Sequence, residues 1–199
     1  MAISLTKGQT ISLEKTKPGL SKVRMGLGWD PAKKQKSGGF LGGLFGGGGA
    51  SSIDLDASVI VMDSGKDTID TVSFRQLTSR DGAIRHGGDN LTGEGDGDDE
   101  VIYVDLGKLD PRAAHLVFTV NSFRGQTFDE VDNAFARLVD DGADAEICRY
   151  TLTEQGRHTG VIMATLSRAG ATWEMTAHGT PGSGRTVEDM AQDARAVLG

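Results

Sequence analysis

The chain is poor in three things that commonly define a small protein's class: it has one cysteine, Cys148, four prolines in 199 residues, and 6% aromatic residues. A single thiol cannot close an internal disulfide, so no disulfide framework builds this fold. No apolar run approaches the roughly 20 residues a membrane-crossing helix needs, and Met1-Ala2-Ile3-Ser4-Leu5-Thr6-Lys7 has no stretch resembling a signal peptide. The expectation is a soluble, cytoplasmic protein. Motifs of common catalytic centres are missing as well. His86, His115, His158 and His178 are widely separated and show no zinc-ligand spacing such as H-x-x-x-H. The glycines from Gly46 to Gly49 do not run into Lys-Ser or Lys-Thr, which excludes a P-loop. Ser183, within Thr180-Pro181-Gly182-Ser183-Gly184, lacks the nucleophile-elbow pattern.

What the chain has in excess is glycine, 29 residues, against an apolar fraction of 37%. So much glycine with so little proline points to tight turns and close backbone approaches, and 199 residues suffice to bury a sizeable core as one domain, residues 1–199. The formal charge is −7, and it is localised: Asp54 to Glu100 holds 12 acids against 4 bases, leaving the remainder near neutral with 16 acids against 17 bases. Such a surface repels phosphates, so nucleic acid is not an expected partner.

Alternation of period two runs through most of the sequence. Val23, Met25, Leu27 and Trp29 share one face, with Arg24, Gly26, Gly28 and Asp30 on the other. The pattern returns in Ile53 to Met62, Val101 to Leu106, His115 to Phe123, Ala134 to Val139 and Ile147 to Leu152. Val161 to Leu166 and Thr172 to His178 read as a hairpin across Ser167 to Ala171, with Trp173, Met175 and Ala177 inward. Eight or more short strands make a mainly all-β protein, a β-sandwich of two antiparallel sheets. One helix is expected at the C-terminus, where Val187, Met190, Ala191, Ala194, Val197 and Leu198 fall on one stripe, with Thr186 placed to cap it. From Pro31 to Ser52 the periodicity disappears; eight glycines between Gly38 and Gly49 are interrupted by Phe40, Leu41, Leu44 and Phe45. This reads as a flexible insertion whose apolar pairs could touch a membrane or a partner.

The chemistry concentrates between Asp89 and Glu100, where six of twelve residues are carboxylates and three are glycines. Unpaired, such neighbours repel by about 1 kcal/mol per pair even in water-like surroundings. A hard divalent cation removes that cost, and calcium, taking about 6 to 8 oxygens in flexible geometry, suits the loop better than magnesium. A solvated acidic turn is the plain alternative. Two features favour the ion. Asp54 and Asp56 stand at i and i+2, so both carboxylates share one strand face. Asp30 ends a strand whose same face carries Gly26 and Gly28, which leave room for another group. The loop is no EF-hand: counting from Asp96, the sixth position is Val101, where that motif requires glycine.

Gly26-Leu27-Gly28-Trp29-Asp30, Asp54-Leu55-Asp56-Ala57-Ser58 and Gly88 to Glu100 resemble the TerD family of bacterial tellurium-resistance and stress-response proteins. The likeness extends from Ile3-Ser4-Leu5-Thr6-Lys7-Gly8 through Asn133-Ala134-Phe135-Ala136-Arg137 and Arg149-Tyr150 to the terminal helix. The resemblance implies a β-sandwich that binds Ca2+ at one end, a role in resistance to tellurite and other stresses, and partners among other tellurium-resistance operon proteins, which could lie at the membrane surface. Carried over residue by residue, its calcium motif falls on Asp89, Asn90, Asp96, Asp98, Asp99 and Glu100, with Asp54 and Asp56 from the facing strand and Asp30 at the margin. That many carboxylates suit two adjacent ions. The expected function is a non-catalytic, calcium-binding interaction module. The competing reading is a metal-dependent hydrolase acting on a phosphate-containing substrate, since clustered aspartates also build such sites.

Overall fold

The alternation of Val23, Met25, Leu27 and Trp29 buries all four of these side chains in one cluster, and their strand forms the middle of a sheet. The structure is a computed structural model that describes residues 2–32, 53–88, 97–153 and 155–199. In chain order its strands are β1 (Ile3–Leu5), β2 (Thr10–Ser12), β3 (Lys22–Pro31), β4 (Asp56–Met62), β5 (Thr68–Val72), β6 (Ile84–His86), β7 (Glu100–Asp105), β8 (His115–Asn121), β9 (Val131–Asp140), β10 (Ala145–Thr151), β11 (Gly160–Ala169) and β12 (Thr172–Gly182). A four-residue helix, α1 (Leu13–Thr16), follows β2, and α2 (Ala191–Val197) comes after β12.

Two six-stranded sheets result, ordered β1-β10-β9-β3-β7-β6 and β2-β12-β11-β8-β4-β5. We call them sheet A and sheet B. All pairings are antiparallel except β1 with β10, where Ile3 lies opposite Cys148 and Leu5 opposite Tyr150. Their inner faces share one apolar core that includes Leu27, Phe118, Leu138 and Met175. The expected mainly β sandwich is therefore present. A two-residue turn joins β11 to β12, Gly170 supplying the positive φ of 65° that the tight hairpin needs. Trp173, Met175 and Ala177 face inward, as the alternation indicates.

The outward residues of sheet B include Ile60, Met62, Val117 and Ile162, which form a second apolar cluster with Val187, Met190 and Ala194 from the C-terminal segment. The expected helical stripe is thus the buried one, but regular helix covers only Ala191–Val197. Among the described residues no helix is long and apolar enough to cross a membrane. The expected glycine-rich insertion, apart from Pro31 at the end of β3 and Ala32, lies outside the described residues.

Candidate functional site

Antiparallel pairing of β3 with β7 sets Leu27 opposite Glu100 and so delivers the end of the acidic segment to the far end of β3. The next residue back, Asp99, donates its amide to the Leu27 carbonyl at 2.9 Å. Its carboxylate accepts the Trp29 amide at 2.7 Å. Burial pushes the Asp99 carboxyl above its usual range, and repulsion from Asp30, Glu100 and Asp98 adds to this against the opposing Trp29 hydrogen bond.

Glu100 faces inward between the sheets. Its Oε2 accepts the Ala57 amide at 2.7 Å and lies 3.2 Å from His86 Nε2, which is itself 3.0 Å from the Ala57 carbonyl. One buried acid thereby ties β7 and β6 of sheet A to β4 of sheet B. Across from it, Asp54 and Asp56 are buried to 6% and 7% exposure. Arg124 Nε reaches Asp54 Oδ2 at 2.8 Å, and the Asp54 amide donates to Gln126 Oε1 at 3.2 Å. Asp56, the first residue of β4, pairs with Asn121 and lines a recess with Ser58, Ser73, Arg75, Asn121 and Arg185.

Asp98 points the other way, onto the outer face of sheet A. Arg137 grips both of its oxygens, at 2.6 and 2.9 Å, and holds Glu146 at 3.2 Å, which Arg149 also engages. This carboxylate fills the space that Gly26 leaves: a Cβ there would stand 2.2 Å from Asp98 Oδ2. Gly28 is roofed by the Phe135 ring and the Gly97 carbonyl, 2.5 and 2.7 Å from where its Cβ would be. The room foreseen beside these glycines is real, and a side chain and a backbone occupy it. Asp30 is exposed at the rim, accepting Asn133 Nδ2 at 2.8 Å; Asn133 has a positive φ of 53°.

Of the expected metal ligands, the structure therefore gathers Asp30, Asp54, Asp56, Asp98, Asp99 and Glu100 at one end of the sandwich, on three differently facing surfaces. Asp89, Asn90 and Asp96 lie outside the described residues. Among the described residues no three of His, Cys, Asp and Glu converge as a metal-holding group. The donors nonetheless fit a hard cation in chemistry. They are carboxylates, Asp54 Oδ1 and Asp56 Oδ2 are themselves buried oxygens, and the Arg124 guanidinium stands at Asp54 as a positive charge on an exposed, yielding arm.

Arg124, Gln126 and Arg137 carry no local signature of this role in the sequence. The one available hint for Arg137 is the pair of glycines on the neighbouring strand, which require a long side chain from elsewhere to cover them. The histidines serve separate local purposes: His86 in the site's floor, His115 against Ser167 at 2.9 Å, His158 stacked on Phe128 at 5.0 Å, and His178 against Thr165 at 3.0 Å.

The family model described as the TerD domain matches residues 1–193. Tellurium resistance protein TerZ of Serratia marcescens is 55% identical over 96% of each chain. Stress response protein SCP2 of Bacillus subtilis is 45% identical, covering 96% of this chain and 98% of its own. Among solved structures, a homologue of telluride resistance protein from Streptomyces coelicolor A3(2) superposes with a TM-score of 0.66 at 21% identity, covering 87% of this chain and 96% of that one. A shared sandwich, the acidic residues Asp98, Asp99 and Glu100 at its end, and a family match spanning nearly the whole length lead to one conclusion: the chain belongs to the TerD family.

Proposed function

We propose that this protein is a cytoplasmic, calcium-binding interaction module of the tellurium-resistance and stress-response type, which takes two Ca2+ ions and performs no catalysis. The observation that carries this reading is the burial of Asp54, Asp56 and Glu100, at 6%, 7% and 2% exposure, where the acidic segment meets both sheets. Their oxygens are the kind a hard divalent ion takes, and such an ion would add to the positive charge that Arg124 already brings to Asp54. Asp54, Asp56, Asp89, Asn90, Asp96, Asp99 and Glu100 would hold the ions, with Asp30 at the rim. Asp98, held by Arg137, serves by fixing the segment against sheet A.

Bound ion would then brace residues 89–100 against β4 and stabilise the fold by about 2.7 kcal/mol at a hundredfold excess over the dissociation constant. The braced end offers a surface to other tellurium-resistance proteins. Direct thiol chemistry with tellurite has little support: Cys148 is buried with Sγ 3.2 Å from Met175 Sδ, and burial pushes its thiol up to about 12.

Calorimetric titration with calcium and, in parallel, magnesium tests the reading on the wild type and on Asp54→Asn combined with Asp56→Asn. Calcium binding at about micromolar affinity or tighter, near two ions per chain and lost in the double variant, is the expected result. Absence of calcium heat, or equal binding of magnesium, overturns it.

A further inference from the structure

The flank of the acidic end carries a second, opposite chemistry. Phe123, in the loop after β8, is 47% exposed; Leu77, at 50%, is the other large apolar side chain so exposed among the described residues. The Phe123 ring meets Phe74 edge-on with centroids 6.0 Å apart, and the Arg75 guanidinium lies over both rings at 5.3 and 5.4 Å. Leu77 follows Arg75 by two positions. Arg124, next to Phe123, bends toward Asp54. On the other side Arg185 lies over Gly125, where a Cβ would stand 2.9 Å from its Nη2, and shares with Arg75 the recess that Asp56 lines. Arg75, Arg124 and Arg185 are all exposed. Glu188 lines the same recess, and the Asp189 carboxylate accepts the Arg185 and Thr186 amides at 3.2 and 3.1 Å.

Exposing an aromatic ring costs free energy, and seating it between guanidinium groups at a loop tip suits a boundary between apolar and anionic phases. We propose that this flank docks on an anionic phospholipid surface, Phe123 entering the headgroup layer while Arg75 and Arg185 face the lipid phosphates. One observation chooses lipid over another polyanion: the exposed apolar side chains of Phe123 and Leu77 need a phase that an extended phosphate chain does not offer. The docking is calcium-dependent, and this dependence alone rests on the function proposed above, because the bare carboxylates repel the lipid that neutralised ones tolerate.

Co-sedimentation of the full chain with vesicles of phosphatidylcholine plus phosphatidylglycerol, or of phosphatidylcholine alone, in calcium or in chelator, tests the proposal. The protein is expected to pellet with the anionic vesicles in calcium and to stay in solution with the neutral ones. Each of Arg75→Gln and Arg185→Gln should weaken binding about fivefold, and Phe123→Ser about tenfold. None of these three residues supplies an oxygen ligand, so each variant should still bind the same number of calcium ions per chain. Failure to bind anionic vesicles while calcium titration succeeds overturns the docking and leaves the ion site standing. Binding that ignores all three substitutions, or that a short single-stranded oligonucleotide competes away, also overturns it. Binding by the arginines and Phe123 that is equal in chelator upholds the docking surface and counts against the calcium reading.

Discussion

Sheet A and sheet B present opposite outer faces although both are built from the same two-residue alternation. On sheet A the outward positions hold Arg24, Arg137 and Arg149, which pair with Asp141, Asp98 and Glu146 in solvent's reach. On sheet B they hold Ile60, Met62, Val117 and Ile162, and the C-terminal segment covers them with Val187, Met190 and Ala194. Alternation thus identifies which side of a strand leaves the core. The outward residue type decides whether that side meets water or recruits another layer.

Breaking the cover is expected to cost more than breaking the ion pairs. Met190→Ala, at a fully buried position of the second cluster, should destabilise by about 3 kcal/mol with an unchanged m-value in urea denaturation. On sheet A, Arg137→Leu strands the Asp98 carboxylate, whose side chain is 7% exposed beside a 24% exposed guanidinium. A loss of about 2 kcal/mol is expected, below that of a fully buried pair, together with faster hydrogen exchange at the Asp99 amide.

Acid sharpens the contrast with a smaller effect. His115 and His178, outward on sheet B, and His158 beside Phe128 are each held below the ordinary histidine range, in the first place by burial. Below about pH 6.5 the unfolded chain binds more protons at these residues than the folded one, so their contribution is present above that pH and is lost as pH falls through it. The melting temperature should drop by a few degrees between about pH 7 and pH 5.

The parts of the fold that were legible beforehand are those where a strand runs long enough for its period to repeat, as in β3, β4, β8 and the β11–β12 hairpin. The short strands β1, β2 and β6, of three residues each, and the five-residue β5 give no such signal. Their pairing partners determine them. The C-terminal stripe shows a different limit. Val187 and Met190 are buried as the spacing indicates, yet Met190 and Ala191 donate to Val187 and Glu188, three residues back, and the four-residue bond begins with Ala194 to Met190. Apolar spacing specifies burial and leaves the local hydrogen bonding open. At the candidate site, clustered carboxylates are visible in composition. That Asp98 belongs to Arg137, 39 positions away, follows from the sheet register, which no local pattern encodes.

The parallel pairing of β1 on β10 and the antiparallel pairing of β2 on β12 place the first dozen residues at an edge of each sheet, stitched to segments more than a hundred positions later. On a ribosome these residues emerge well before the segments they pair with, so β1 and β2 have nothing to join until β10 and β12 have been made. Closure of these two sheet edges is therefore a late step. A bulky tag fused ahead of Ile3 would act as a wedge in that step, slowing closure more than it disturbs the finished structure.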